Sequence, residues 1–137
     1  MAKKDRPAVP GWMLEQLRQI MQPLPSIHEE EAWVGVRWRV GERTVVHAFG
    51  GEDQLFRIVF RGEPDEVAAF AHLGDPYFKA GWGGDTIGML LDESTDWTEV
   101  RELLVDSYCL RAPASLASRV DRRTSATEAA QRNGTKR

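Results

Sequence analysis

The spacing of apolar positions changes several times along the chain, and each change marks an element. Met13, Leu14, Leu17, Ile20 and Met21 recur at helical intervals, so a helix is expected there. Pro23 and Pro25 stop it, because proline lacks an amide donor and biases the residue before it toward extended geometry. His28-Glu29-Glu30-Glu31 reads as a polar connector. The interval then shortens to two. From Trp33 to Val40, the apolar Val34, Val36, Trp38 and Val40 alternate with Gly35, Arg37 and Arg39. Gly41-Glu42 suits a hairpin turn. Thr44 to Phe49 gives a second strand, and Gly50-Gly51-Glu52-Asp53 a second turn. Leu55 to Arg61 gives a third strand, with Phe56, Ile58 and Phe60 on one side and Arg57, Val59 and Arg61 on the other.

Helical spacing returns after Pro64, a residue tolerated in a first helical turn. Val67, Ala68, Phe70 and Ala71 supply the apolar side, and Gly74 can end the helix. Residues 75–85 form a loop rich in glycine and aromatics. Thr86 to Leu91 is a fourth strand, with Tyr77-Phe78 as a short extended partner. Asp96 is a good N-cap for a last helix, with Glu99 as its capping-box partner. Trp97, Val100, Leu103, Leu104 and Tyr108 line one face of that helix, and a further turn is expected between Pro113 and Val120. The order α-β-β-β-α-β(β)-α predicts an α+β two-layer sandwich, an antiparallel sheet with helices on one face. The other face is left to water or to a partner. Residues 1–10 read as a flexible lead, 11–120 as one domain, and 121–137 as a disordered basic tail.

Composition agrees with one folded domain. The chain has 137 residues, 42% of them hydrophobic, and five tryptophans. No apolar run approaches a membrane span, and no apolar segment follows Lys3-Lys4, so no secretory signal is expected. Cys109 is the single cysteine; it permits neither an internal disulfide nor an all-cysteine metal site, and a reducing cytoplasm is the default compartment. Net charge is −3. Residues 121–137 hold five basic and two acidic side chains, so the tail is +3 and the preceding 120 residues are −6. The domain as a whole does not attract a polyanion; nucleic-acid binding requires a local basic patch.

Such a patch is available on paper. Strand alternation points Arg37 and Arg39 one way, and Arg57 and Arg61 likewise. All four share the open face if the apolar phases of both strands meet the helices. Trp33, in phase with Arg37, would add a flat stacking surface. The planar fork of arginine suits phosphate, and four neutralised phosphates would give a salt slope of about −3.6. The plainer reading is a solvated sheet surface whose arginines pair with Glu29, Glu30, Glu31, Glu42 or Glu52. In the Lys79-Ala80-Gly81-Trp82 loop, Lys79 is a second candidate contact and Trp82 either an aromatic anchor or a lid folded under the loop.

Catalysis finds no pattern. His28, His47 and His72 are scattered, none with ligand spacing to another or to Cys109. Ser94, Ser107 and Ser115 lack a nucleophile elbow. Asp92-Glu93 with Asp96 is a turn as readily as a cation site. No catalytic residue, metal or cofactor is expected.

Leu24-Pro25, Trp38-Arg39-Val40-Gly41, Lys79-Ala80-Gly81-Trp82, Asp96-Trp97 and the Ser107-Tyr108 to Ala112-Pro113 exit together resemble the MmcQ/YjbR family, over about Leu24 to Pro113. The resemblance implies a compact α+β domain of secretion-chaperone-like type. It also implies DNA binding through a double-wing surface, an attribution resting on shape. The expectation is a small non-catalytic cytoplasmic domain that binds DNA weakly and through its backbone. The alternative is a protein-interaction or homodimerising module without a nucleic-acid role, and a third option is a small-anion pocket under the aromatic loop.

Overall fold

The computed structural model describes residues 6–81 and 83–120. Helix α1 (Gly11–Met21) is followed by strands β1 (Ile27–Glu31), β2 (Val36–Val40), β3 (Arg43–Gly50) and β4 (Phe56–Arg61). Helix α2 (Pro64–Leu73), strands β5 (Tyr77–Lys79) and β6 (Thr86–Leu91), and helices α3 (Trp97–Arg111) and α4 (Ala114–Ala117) complete the order. The strands form one antiparallel sheet, β1-β2-β3-β4-β6-β5. The α+β sandwich expected from the pattern is therefore present, with β1, β5 and β6 added to the three-stranded central meander of β2, β3 and β4.

One of those strands corrects the sequence reading. His28-Glu29-Glu30-Glu31 is not a connector; it belongs to β1, paired with β2 from Ile27↔Val40 to Glu31↔Val36. Its glutamates are poor strand formers, but charge holds them. Glu29 takes a bidentate contact from Arg18 of α1, with Nη2–Oε2 at 2.7 Å, and Glu30 takes arginines of β2 on the other face. A sheet edge made of carboxylates also discourages pairing with another chain.

The core lies between one face of the sheet and the helices. Trp38, Val46, Ala48, Ile58, Phe60, Ile87 and Met89 face Met13, Leu17 and Met21 of α1 and Val100, Leu104 and Tyr108 of α3. Helix α2 gives less than its sequence promised: Val67 is buried and Phe70 packs at the rim against Tyr77, while Ala68 and Ala71 are exposed. Its start is well fixed, because Glu63 and Glu66 form a reciprocal capping box ahead of Pro64. At α3 the expected box is only half made. Asp96 accepts from the amides of Thr98 and Glu99 at 3.0 and 3.3 Å, but the Glu99 carboxylate accepts the Tyr77 hydroxyl instead.

A β-bulge interrupts the regular alternation. The β2–β3 register shifts between Trp38 and Arg39, so Trp38 faces Val46 while Arg39 faces Thr44. Val45 is the extra residue, and both Val45 and Val46 are fully buried. The bulge takes the Val45 carbonyl out of the ladder. Ser107 of α3 fills the gap: its hydroxyl donates to the Val45 carbonyl at 2.7 Å and accepts the Arg61 amide at 2.9 Å.

Candidate functional site

The face of the sheet away from the helices carries the candidate residues. Register and alternation place Glu30, Arg37, Arg39, Thr44, His47, Phe49, Arg57, Val59, Arg61, Gly88, Leu90 and Phe78 in one phase. The four sequence-predicted arginines are thus gathered on one uncovered surface. The bulge contributes, since it sets Thr44 and His47 on the same side although they are three residues apart.

None of the four guanidiniums is without a carboxylate. Glu30 lies directly across from Arg37 and takes both Arg37 and Arg39, the latter at 3.2 Å. The hydrogen bond from Arg37 is the main reason the Glu30 carboxyl is held below its ordinary range. Arg39 also donates to the Glu42 carbonyl at 2.6 Å. Arg57 pairs with Asp53, four residues earlier across the β3–β4 turn, and its hydrogen bond holds the Asp53 carboxyl down. Arg61 reaches Asp85 at 3.2 Å. Of the partners foreseen among the acidic residues, Glu30 is realised; Asp53 and Asp85 were not foreseen, although Asp53 stands at a spacing that a tight turn brings together.

Aromatic rings flank these charges. The Arg57 guanidinium lies 5.9 Å from the Phe49 ring centroid and 6.0 Å from that of Phe78, within cation–π reach of both. Phe78 reaches its place because β6 has Gly88 opposite: a Cβ there would meet the Phe78 ring at 2.2 Å. His47 stacks on Phe49 with centroids 4.8 Å apart. Its Nε2–H donates to the Val34 carbonyl, and burial pushes its pKa down, so the ring is neutral at neutral pH. Ala32, Arg37, Thr44, His47, Val59 and Arg61 line a small cleft on this face.

Three other expected residues lie elsewhere. Trp33 is not on a strand in phase with Arg37. It sits in the tight connection between β1 and β2, closed by the Ala32 amide on the Gly35 carbonyl at 3.0 Å, and is 77% exposed. The reason is Gly35, whose φ of +76° ends the strand geometry and whose missing Cβ lets it lie against the Ala48 carbonyl. Lys79 is opposite Ile87 and in phase with Tyr77, so alternation assigns it to the helix-bearing side, away from the arginines. Trp82 and the basic tail fall outside the described residues. Among the described residues no three His, Cys, Asp or Glu side chains converge as a metal-binding group, and no helix is long and apolar enough to cross a membrane.

Comparison with known proteins agrees with this architecture. The YjbR family model matches residues 22–110, from the end of α1 to the last turn of α3. A crystal structure of the Deinococcus radiodurans protein DR2400, described as having a DUF419 domain, superposes with a TM-score of 0.61 at 18% identity, covering 71% of this chain and 76% of that one. At that identity the likeness concerns the fold. No protein with curated annotation matches this chain.

Proposed function

The chain belongs to the YjbR family, and on that premise we propose that it is a non-catalytic binding module whose working surface is the uncovered sheet face and whose partner is an acidic protein surface. The observation that carries this reading is the Arg57 guanidinium set beside Phe49 and Phe78 on a face where four arginines share three carboxylates. Arginine and aromatic side chains are enriched at the centres of protein interfaces. Arginines held by rings and carboxylates are already ordered, so less conformational freedom is lost on docking. Four arginines against three carboxylates leave this face with one net positive charge on a domain of charge −6 through residue 120, enough to orient a docked acidic side chain but little against the dense charge of a duplex.

Weak, backbone-directed DNA binding remains the second reading. It draws support from the gathering of Arg37, Arg39, Arg57 and Arg61 on one side and from the +3 tail. Against it, Glu30, Asp53 and Asp85 cancel most of the positive charge that a run of duplex phosphates would meet on this face.

Two measurements separate the readings. A photocrosslinking residue at Leu90, on the open face, is expected to give a discrete protein adduct in cells, while one at Glu102 on α3 is expected to give none. Fluorescence anisotropy with duplex DNA is expected to show no saturable binding at moderate salt. Salt-sensitive DNA binding that vanishes in the variant with Arg37, Arg39, Arg57 and Arg61 all changed to Glu would replace the protein reading with the nucleic-acid one.

A further inference from the structure

The cleft bounded by Arg37, Thr44, His47 and Arg61 has the chemistry of an oxyanion site. Its volume is about 140 Å³, several times the roughly 30 Å³ that one water occupies in the liquid. Arg37 on β2 and Arg61 on β4 stand on either side, with β3 between them. Each holds its carboxylate through part of its fork, Arg37 to Glu30 and Arg61 to Asp85 through Nη1. A guanidinium has five N–H donors, so donors remain on both. The Thr44 hydroxyl has no hydrogen-bond partner among the described residues and lines the same space. Val59 makes an apolar wall: it is only 6% exposed although it belongs to the uncovered face and not to the helix-side core.

The charged side chains lining the cleft itself are the two arginines, while their carboxylate partners stand at its ends. Asp85 is the carboxylate at the Arg61 end, and Arg43 and Arg111, which do not line the cleft, stand behind it on the helix side, where β3 begins and α3 ends. Arg43 donates to the Arg111 carbonyl at 3.2 Å. Burial, with Arg61 and Arg43 nearby, lowers the pKa of Arg111 against the opposing pull of Asp85. At the other end Glu30 serves two arginines. His47 is neutral, so it does not add to the field; its ring closes one side.

We propose that this cleft binds a single phosphate group, with Arg37 and Arg61 as opposed guanidinium donors and Thr44 as a hydroxyl donor. The site goes beyond the protein-docking reading and does not depend on it: it can fill with free phosphate or with a phosphomonoester. Bidentate arginine and a hydroxyl favour a tetrahedral oxyanion over chloride.

The test is a titration of the full chain, followed by ¹H–¹⁵N NMR, with inorganic phosphate and separately with O-phosphoserine, at constant ionic strength set by sodium chloride. Saturable shifts centred on Thr44, His47 and the Arg37 and Arg61 side-chain N–H groups are expected. Thr44→Val and Arg61→Gln should each weaken binding at least tenfold, with the remaining spectrum unchanged as proof of folding. Tighter binding of O-phosphoserine would identify the monoester as the source, and tighter binding of inorganic phosphate the free anion. Shifts that rise linearly without saturation, or that persist equally in both variants, overturn the proposal. DNA anisotropy and crosslinking at Leu90 report separately on the docking reading, so either can fail while the other stands.

Discussion

The Ser107 hydroxyl donates to the Val45 carbonyl from across the sheet–helix interface, 62 residues away in the chain. The same oxygen accepts the Arg61 amide, so one side chain of α3 completes two strands. Ser107→Ala would leave a buried carbonyl and a backbone amide without partners. At about 1–3 kcal/mol for each unsatisfied buried group, the variant is expected to lose roughly 2 kcal/mol or more of stability. Urea unfolding followed by circular dichroism checks this. A loss under about 0.5 kcal/mol would mean that water replaces the hydroxyl.

Gly88 gives a second prediction. Its hydrogen side is where the Phe78 ring lies, and that ring is one of the two beside Arg57. Gly88→Val should push the ring out and destabilise the domain by about 1–3 kcal/mol, the usual range for overpacking. Adding Phe78→Ala should recover part of the loss, giving a coupling of at least about 0.5 kcal/mol in a double-mutant cycle. Simple additivity of the two changes would contradict the seating.

The Glu30 carboxylate can be removed with little structural cost. Exposed ion pairs contribute little to stability and the backbone ladder of β1 with β2 stays in place, so Glu30→Gln should change the melting temperature only slightly. It frees two arginines at once. Binding of anions to the open face should therefore strengthen in this variant, whether the probe is phosphate or duplex DNA. Unchanged affinity for both, measured by NMR and anisotropy, would mean that Glu30 does not screen this surface.

Acid should weaken the fold through His47. Burial holds its pKa below the ordinary histidine value. The unfolded chain then binds a proton that the folded chain refuses. The stability tied to neutral His47 is present above about pH 6.5 and is lost as pH falls from there through the lowered folded value. Glu99 has the opposite sign: burial raises its pKa, so its protonation favours the folded chain as pH falls through the carboxylate range. Thermal melts from pH 7.5 to 5 should show a decline that His47→Asn makes shallower. An unaltered slope in that variant would place the effect elsewhere.

Much of this molecule could be read from its sequence, for physical reasons that differ by element. The β2, β4, β6 and α3 positions follow from regular alternation or helical spacing, and the arginine face follows from the same alternation. β1 is hidden because three consecutive glutamates suit solvent; what makes it a strand is its backbone pairing with β2, with Arg18, Arg37 and Arg39 balancing the charge of Glu29 and Glu30. The bulge was hidden because Val45-Val46 fits a regular strand as well as a bulged one, and the deciding partner, Ser107, lies on another element. Lys79 reads from the sequence as an exposed loop residue; its pairing with Ile87 makes it part of β5 and gives it a phase on the side opposite the arginines.

The borders of the sheet limit how anything can approach it. One outer strand bears Glu29, Glu30 and Glu31, and the other is only three residues long. Neither offers a long, uncharged row of amides and carbonyls for a guest strand to extend. Both borders therefore favour an approach across the layer, onto side chains, and disfavour stacking of copies of this chain strand upon strand.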